Sequence, residues 1–237
     1  MPDLHFTHPR LAAVYDVVDG ERSDLLAYLS LAGELGATSL FDIGCGTGSL
    51  ACGAATAGIA VTAVDPAAAS VEVARAKAGA EKVRFIVGPA GAALPLEVEL
   101  VTMTGNVAQV FLGDEEWSEV LGVAHQALTP GGHLVFESRQ PEARAWEAWT
   151  TRERFETAAG AVEVSREVTA VKLPFVSFLT TYRFEEDGAV LCSASTLCFR
   201  DRQELEAGLA AAGFDIEEVR EAPDRPGLEL VFIARRP

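Results

Sequence analysis

The sequence is short of basic residues: 19 lysines and arginines stand against 35 aspartates and glutamates, a formal net charge of −16. A surface of that sign repels phosphate backbones and anionic lipid, which argues against nucleic acid or a membrane as partner. The one local concentration of arginine, Arg152 and Arg154, is interrupted by Glu153 and Glu156 and reads as a solvated mixed-charge face. Cysteines are few as well. Cys45, Cys52, Cys192 and Cys198 include no C-x-x-C pair and no histidine at zinc-ligand spacing, so no structural metal is expected. No apolar run has the length of a membrane span, and the start Met1-Pro2-Asp3-Leu4-His5 shows no basic segment leading into an apolar one; the expected location is the cytoplasm. What is present is globular chemistry, 49% hydrophobic and 23% charged, in 237 residues. That length allows one large domain or one domain with an insertion, and the second is expected.

The most informative stretch runs Leu40-Phe41-Asp42-Ile43-Gly44-Cys45-Gly46-Thr47-Gly48-Ser49-Leu50. It reads as a buried strand, a glycine turn and the first turn of a helix. Leu40, Phe41 and Ile43 suit a central strand covered on both faces, and the alternating glycines let backbone approach a ligand without Cβ interference. Thr47 and Ser49 are placed to cap the helix, whose N-terminus favours an anionic group. Spacing decides which ligand. The dinucleotide fingerprint is G-x-G-x-x-G, whereas here Gly44, Gly46 and Gly48 give G-x-G-x-G and Ser49 stands where a third dinucleotide glycine would be. With Asp42 in front, this run resembles the first motif of class I S-adenosylmethionine-dependent methyltransferases. The alternatives are a glycine turn without a ligand and, for Cys45, either a reactive thiol at a helix N-terminus or a small residue that fits a tight turn.

Before the turn, Leu11, Val14, Tyr15 and Val18 recur at helical spacing, then Leu25, Leu26, Leu29 and Leu31, with Asp19-Gly20 breaking the two helices and Ser23 or Asp24 capping the second. Arg10 and Arg22 are candidates for a carboxylate contact or for plain solvation. After the turn a helix over Leu50 to Ala57 leads to a strand, Ile59 to Val64, that ends in Asp65, about twenty residues beyond the glycines. Nucleotide-binding α/β proteins place there an acid whose oxygens accept from ribose hydroxyls. Pro66 opens the next helix. Val83 to Val87 and Leu100 to Met103 are the third and fourth strands. The segment Thr104-Gly105-Asn106-Val107-Ala108-Gln109 leaves the carboxyl end of the fourth, where ligands of such sheets sit.

A second motif, Leu128-Thr129-Pro130-Gly131-Gly132-His133-Leu134-Val135-Phe136-Glu137, follows a helix over Asp114 to Leu128. Helix end, Pro-Gly-Gly turn and apolar strand in that order resemble the L-x-P-G-G-x-L/V signature of the same methyltransferases, about 85 residues after the first motif. From Arg152 to Arg200 the rhythm becomes successive strands, Val162 to Val171, Phe175 to Phe184 and Val190 to Phe199, with a hairpin signal at Glu186-Asp187-Gly188. Phe178, Thr180, Tyr182 and Phe184 share one face, read as a β lid over a small substrate or as a core or dimer face. A helix capped by Asp201 and two strands, Phe214 to Val219 and Leu228 to Ala234, close the chain.

The resemblance covers about residues 36–138 and the last elements. It implies an α/β fold, a Rossmann-like doubly wound seven-stranded sheet with an antiparallel last strand, plus a small antiparallel β insertion. The expected division is a helical cap over 1–35, a cofactor domain over 36–150 and 201–237, and a lid over 151–200, through which a homodimer could form. It also implies S-adenosylmethionine as cofactor, S-adenosylhomocysteine as product, and a cofactor site of Asp42, Gly44, Cys45, Gly46, Gly48, Asp65, Pro66, Ala90, Thr104, Gly105 and Asn106. Pro89 departs from the family pattern, which places an acid there to hold the adenine amino group; Ala90 keeps its backbone N–H. Methyl transfer is in-line displacement at an activated sulfonium, so alignment in a dry pocket matters most and a base only for some acceptors. Glu137, His133 and Tyr15 are the candidate catalytic residues, and Tyr15, Gln109, Arg139, Phe178 and Tyr182 the candidate substrate pocket. The acceptor expected is a small molecule, in one reading an amine. A non-catalytic protein that binds the nucleoside, and more remotely a nicotinamide-dependent oxidoreductase, are the other readings.

Overall fold

The structure is a computed structural model that describes residues 2–20 and 22–237. Met1 and Glu21, both within the expected cap, lie outside the described residues. The chain opens with short helices, α1 (Leu4–Thr7), α2 (Pro9–Ala12) and α3 (Tyr15–Asp19), then α4 (Leu25–Glu34). The single helix expected over Leu11 to Val18 is thus broken between Ala12 and Tyr15. Asp24 does not cap α4, because its carboxylate accepts a forked pair of bonds from Arg22 instead.

Alternation follows: β1 (Ser39–Ile43), α5 (Ser49–Thr56), β2 (Ala60–Asp65), α6 (Ala68–Arg75), β3 (Val83–Val87), β4 (Val98–Met103), α7 (Asp114–Ala127) and β5 (Leu128–Arg139). Pro66 lies two residues before the start of α6 rather than starting it. The Pro130-Gly131-Gly132 segment is the lead-in of β5 itself, with Gly131 at φ 84. Four strands then form a separate antiparallel sheet: β6 (Thr151–Thr157), β7 (Gly160–Lys172), β8 (Phe175–Phe184) and β9 (Val190–Cys198). β6 is the strand that sequence reading missed, since its Arg-Glu alternation, TRERFET, carries almost no apolar signal. The chain ends with α8 (Arg202–Ala211), capped by Asp201 and Glu204 as a capping box, and with β10 (Asp215–Glu221) and β11 (Glu229–Arg235).

The larger sheet has the order β10-β11-β5-β4-β1-β2-β3. β1 pairs in parallel with β2 and β4, β4 with β5, and β2 with β3, while β11 is antiparallel to both neighbours. Residue alternation explains why it is covered on both sides. Leu40, Leu100, Val135, Val231 and Ile233 face α4 and α5 in one buried cluster. Phe41, Val101, Leu134, Phe136 and Phe232 face α7 and α8 in another, where Phe136 and Phe232 stack at 5.0 Å. Each such side chain contributes about 1.5–3 kcal/mol by leaving water. Because the parallel strands all end on the same side, their carboxyl ends gather the glycine turn, Asp65, Thr104 to Asn106 and Glu137 on one edge.

The four-stranded sheet turns its inner face to that edge. Val162, Val164, Tyr182 and Phe184 bury against Leu11 and Val14 of the N-terminal helices, and Val176 packs with Trp146 and Phe199. Polar ties complete the cover: Arg10 forks onto Asp187 at 2.7 and 3.0 Å, and the His5 backbone N–H donates to the Ser193 hydroxyl at 3.0 Å. No helix among the described residues is long and apolar enough to cross a membrane.

Candidate active site

The three glycines of the turn differ in what surrounds them. A Cβ on Gly44 would come within 2.6 Å of Val107, and one on Gly48 within 2.7 Å of Ala74 and 3.2 Å of the Phe85 ring. Those two let the following segments pack closely. Gly46, at φ 52, has nothing within 4 Å of its Cβ position, so it alone faces open space. Beside it, the Asp65 carboxylate accepts the N–H of Gly46 at 2.9 Å and that of Ala67 at 2.8 Å. Burial pushes its pKa up and these two bonds oppose the shift. One lone pair on each oxygen is left for a further donor. Asp42 is buried one strand away and accepts the Thr102 hydroxyl at 2.8 Å; burial raises its pKa to about 7 against that bond.

Thr47 and Ser49 do not cap α5. Their hydroxyls meet Asp16 and Lys77: Thr47 donates to Asp16, Lys77 donates to Ser49 at 2.8 Å, and Lys77 and Asp16 form an ion pair at 2.6 Å. The first-turn N–H groups of α5 therefore lack a side-chain cap. This link brings α3 over the turn and leaves a cavity of about 530 Å³ lined by Tyr15, Asp19, Arg22, Thr47 and Ser49. Burial pushes the Tyr15 phenol well above the usual tyrosine range, and Asp19 adds to the shift. Burial also pushes the Cys45 thiol up, with Asp42 and Asp65 adding to it, which removes the reactive-thiolate reading.

At the ends of β4 and β5, Glu137 holds the crossing segment. One carboxylate oxygen accepts the N–H of Gly105 at 2.6 Å and of Asn106 at 3.1 Å. Burial, then the nearby Glu229 and Asp24, raise its pKa to about 7. Asn106 is fixed in a left-handed conformation at φ 61. Its Nδ2 donates to Glu229 at 3.2 Å, while its buried Oδ1 has no partner among the described residues. Glu229 also pairs with Arg139 at 3.2 Å and Arg225 at 2.8 Å. Thr104 is buried beside them.

The remaining sequence candidates scatter. Arg139 is held between Glu229 and Gln109 with its guanidinium 5.2 Å from the Trp149 ring, and Gln109 is fully enclosed, accepting from Arg139 at 3.1 Å and donating to the Cys198 carbonyl at 3.5 Å. Phe178 and Tyr182 lie on the inner face of the four-stranded sheet, and burial pushes the Tyr182 phenol up to about 12. Pro66 is exposed, and Ala90 follows Pro89 into a single 3-10 turn. His133 is not brought to the cleft: it pairs in register with Leu100 and Arg235, away from the carboxyl edge, and bonds Glu217 at 2.9 Å. Arg10 is committed to Asp187. Sequence reasoning missed Lys77, Asp19, Glu229, Trp149 and Arg166. Glu229 had a signal, an acid heading the apolar strand ELVFIAR; Lys77 had none, because its partners depend on how α6 approaches α5.

Residues 40–132 match the family described as a methyltransferase domain. No curated protein matches the chain in sequence. Among solved structures, an S-adenosylmethionine-dependent methyltransferase from Clostridium acetobutylicum superposes with a TM-score of 0.78 at 13% identity, over 95% of this chain and 97% of that one. An amino pentose methyltransferase of calicheamicin biosynthesis from Micromonospora echinaspora, with S-adenosylmethionine bound, gives 0.77 at 21% identity over 95% of each chain. A sugar N-methyltransferase from Streptoalloteichus gives 0.75 at 18% identity, over 91% of this chain and 87% of that one. The matched domain over residues 40–132 and the fold of the whole chain support a class I S-adenosylmethionine-dependent methyltransferase. S-adenosylmethionine is the cofactor of that class.

Proposed function

We propose that the chain transfers the methyl group of S-adenosylmethionine to a small-molecule acceptor, an amine in the form favoured here. The observation that carries this reading is the cover. The N-terminal helices and the four-stranded sheet are tied together over the carboxyl edge of the large sheet, and the space they enclose, a cavity of about 530 Å³ and a second of about 160 Å³, has small-molecule dimensions. Two of the similar folds act on amino sugars or sugars by their descriptions, which supports a compact polar acceptor. In this reading residues 36–150 and 201–237 bind the cofactor, 1–35 form the cap and 151–200 the lid.

The residues present fit the cofactor: open space over Gly46, the remaining lone pairs of Asp65, the uncapped first turn of α5 and the unpartnered Oδ1 of Asn106. Gly44, Gly46 and Gly48 would shape its cradle, Asp65 would take ribose hydroxyls, and Asp42, Thr104 and Asn106 would line the methionyl side. When bound, the cofactor supplies an activated methyl group. The protein's share is alignment and exclusion of water. Glu137 keeps the Gly105–Asn106 backbone in place and, with a pKa near neutrality, is the carboxylate suited to accept a proton from an acceptor. Tyr15, its phenol held protonated, orients as a donor. An amine that arrives neutral needs only that orientation.

The test is calorimetric titration with S-adenosylhomocysteine, S-adenosylmethionine and NAD, followed by an S-adenosylhomocysteine-release assay across small amines, amino sugars and hydroxylated analogues. Micromolar binding of both sulfur nucleosides and turnover with an amine is the expected result. Tight nucleoside binding with no turnover on any acceptor would favour the non-catalytic reading, for which Pro89 in place of the adenine-binding acid is the supporting feature.

A further inference from the structure

The inner face of the lid carries polar groups that none of the described residues satisfies. Arg166 on β7 stands opposite Thr180 on β8, and Thr180 opposite Ser193 on β9, so the three form a row across one face. Ser193 is satisfied, its hydroxyl accepting the His5 N–H at 3.0 Å and lying 3.1 Å from His5 Nδ1. Its neighbours are not. The Nε of Arg166 and the hydroxyl of Thr180 are buried without a hydrogen-bond partner among the described residues. The other cleft arginines contrast with this: Arg22 forks onto Asp24, and Arg139 and Arg225 share Glu229. Arg166 has no ion pair among the described residues, in a chain with 35 acidic side chains to choose from. An unmade bond to a buried charged donor is costly, so an orphan of this kind calls for a missing partner.

The surroundings say what that partner is. Arg166 lies 5.3 Å over the Phe178 ring and lines a cavity of about 160 Å³ with Trp149, Phe155, Val18 and Val164, together with the exposed Thr151 and Glu153. A cavity of that volume accommodates one group about the size of a six-membered ring, with Trp149 and Phe155 as its aromatic wall. We propose that Arg166 and Thr180 form an anion-recognition subsite for the methyl acceptor, which is therefore a small molecule bearing a carboxylate or phosphoryl group, with its apolar body against Trp149 and Phe155. This rests on the methyltransferase reading above. A planar guanidinium binds such a group by paired N–H donation, and the Thr180 hydroxyl donates a further bond. The chain's overall charge of −16 repels anions at long range, so the subsite selects by local geometry rather than by attraction from bulk.

The test uses the isotope-labelled full chain saturated with S-adenosylhomocysteine. The Arg166 Nε–H resonance, assigned by its absence in Arg166→Gln, is followed while acetate, phosphate or pyrophosphate replaces chloride at constant ionic strength. Expected is a saturable shift with at least one anion, several-fold weaker in Thr180→Val, which keeps the side-chain shape, and about tenfold weaker in Arg166→Lys, where the Thr181 backbone amide reports binding in place of the missing Nε–H. Acetate and phosphate arms separate a carboxylate acceptor from a phosphorylated one. No saturable shift, or equal affinity in all variants, while S-adenosylhomocysteine still binds, overturns the subsite and leaves the methyltransferase reading intact. Failure of S-adenosylhomocysteine to bind the wild-type chain sinks that reading, and with it the assignment of the anion to a methyl acceptor.

Discussion

The two walls of the cleft are finished to different degrees. On the sheet wall each carboxylate already has its partners: Asp42 the Thr102 hydroxyl, Asp65 two backbone N–H groups, Glu137 two more, Glu229 two arginines and Asn106. On the lid wall Arg166 and Thr180 have none among the described residues. Apart from the unpartnered Oδ1 of Asn106, the sheet wall is therefore organised in advance, so a ligand there meets fixed donors and acceptors at little reorganisation cost. The lid wall is completed only when something binds. A cofactor that stays the same across a family suits the first kind of surface, and an acceptor that differs from enzyme to enzyme suits the second.

The largest expected effect breaks the comparison inside the sheet wall itself. Gly48→Ala forces a Cβ into Ala74 at a left-handed backbone position and is expected to cost about 2–4 kcal/mol in urea unfolding. Gly46→Ala meets open space, so only the conformational cost of about 1–2 kcal/mol applies, yet S-adenosylhomocysteine affinity should fall at least about tenfold. Equal stability losses with unchanged affinity for Gly46→Ala would mean that the open space is not the ligand's. Asp65→Ala comes next, because it orphans the buried N–H of Ala67 and removes the acceptor of the part-buried N–H of Gly46, an expected loss of about 1–3 kcal/mol. Asp65→Asn retains an acceptor for one of them; a smaller stability loss with weakened nucleoside binding would separate ligand recognition from loop support.

A pH dependence comes third. Asp42 and Glu137 both have folded pKa values raised to about 7, above those of the unfolded chain. Between about pH 4 and 7 the unfolded chain has released these protons while the folded chain keeps them, so stability falls as pH rises through that window and levels off above it. Asp42→Asn keeps an acceptor for Thr102 and removes one titration. Urea unfolding near pH 5 and near pH 8 should show the difference between the two conditions shrink by about 1–3 kcal/mol in the variant. The smallest effect is at the rim. Asp187→Ala removes an exposed ion pair with Arg10 and should leave the melting temperature unchanged within error, since solvent and salt screen such pairs. A clear drop would show that the cap and lid depend on that tie for stability.

Much of the sheet wall was legible from residues alone. Alternating apolar positions located β1 to β5, the G-x-G-x-G spacing placed the turn, and the distance to Asp65 fixed which strand end would carry the acid. Each of these is a backbone-scale requirement, which a short sequence window contains. The errors have the same logic in reverse. Thr47 and Ser49 looked like helix caps because Asp16 and Lys77, their partners, lie about 30 residues away on either side. His133 shares a strand with Glu137, but pairing register and the strand's polarity leave it short of the ligand edge. Gln109 is polar and next to the site, yet tertiary packing encloses it as a connector between Arg139 and the end of β9.

The sequence by itself determined the class of protein: local hydrophobic period, glycine spacing and strand-end acids are sufficient to specify a doubly wound sheet and its ligand edge, because they act within one turn or one strand. Only the tertiary structure decided which polar side chains are spent and which are free. That depends on partners tens to hundreds of residues apart, such as Glu229 for Asn106, Ser193 for His5 and no partner among the described residues for Arg166 Nε. Whether a buried donor is satisfied is a property of three-dimensional neighbours, and no pattern along the chain records it.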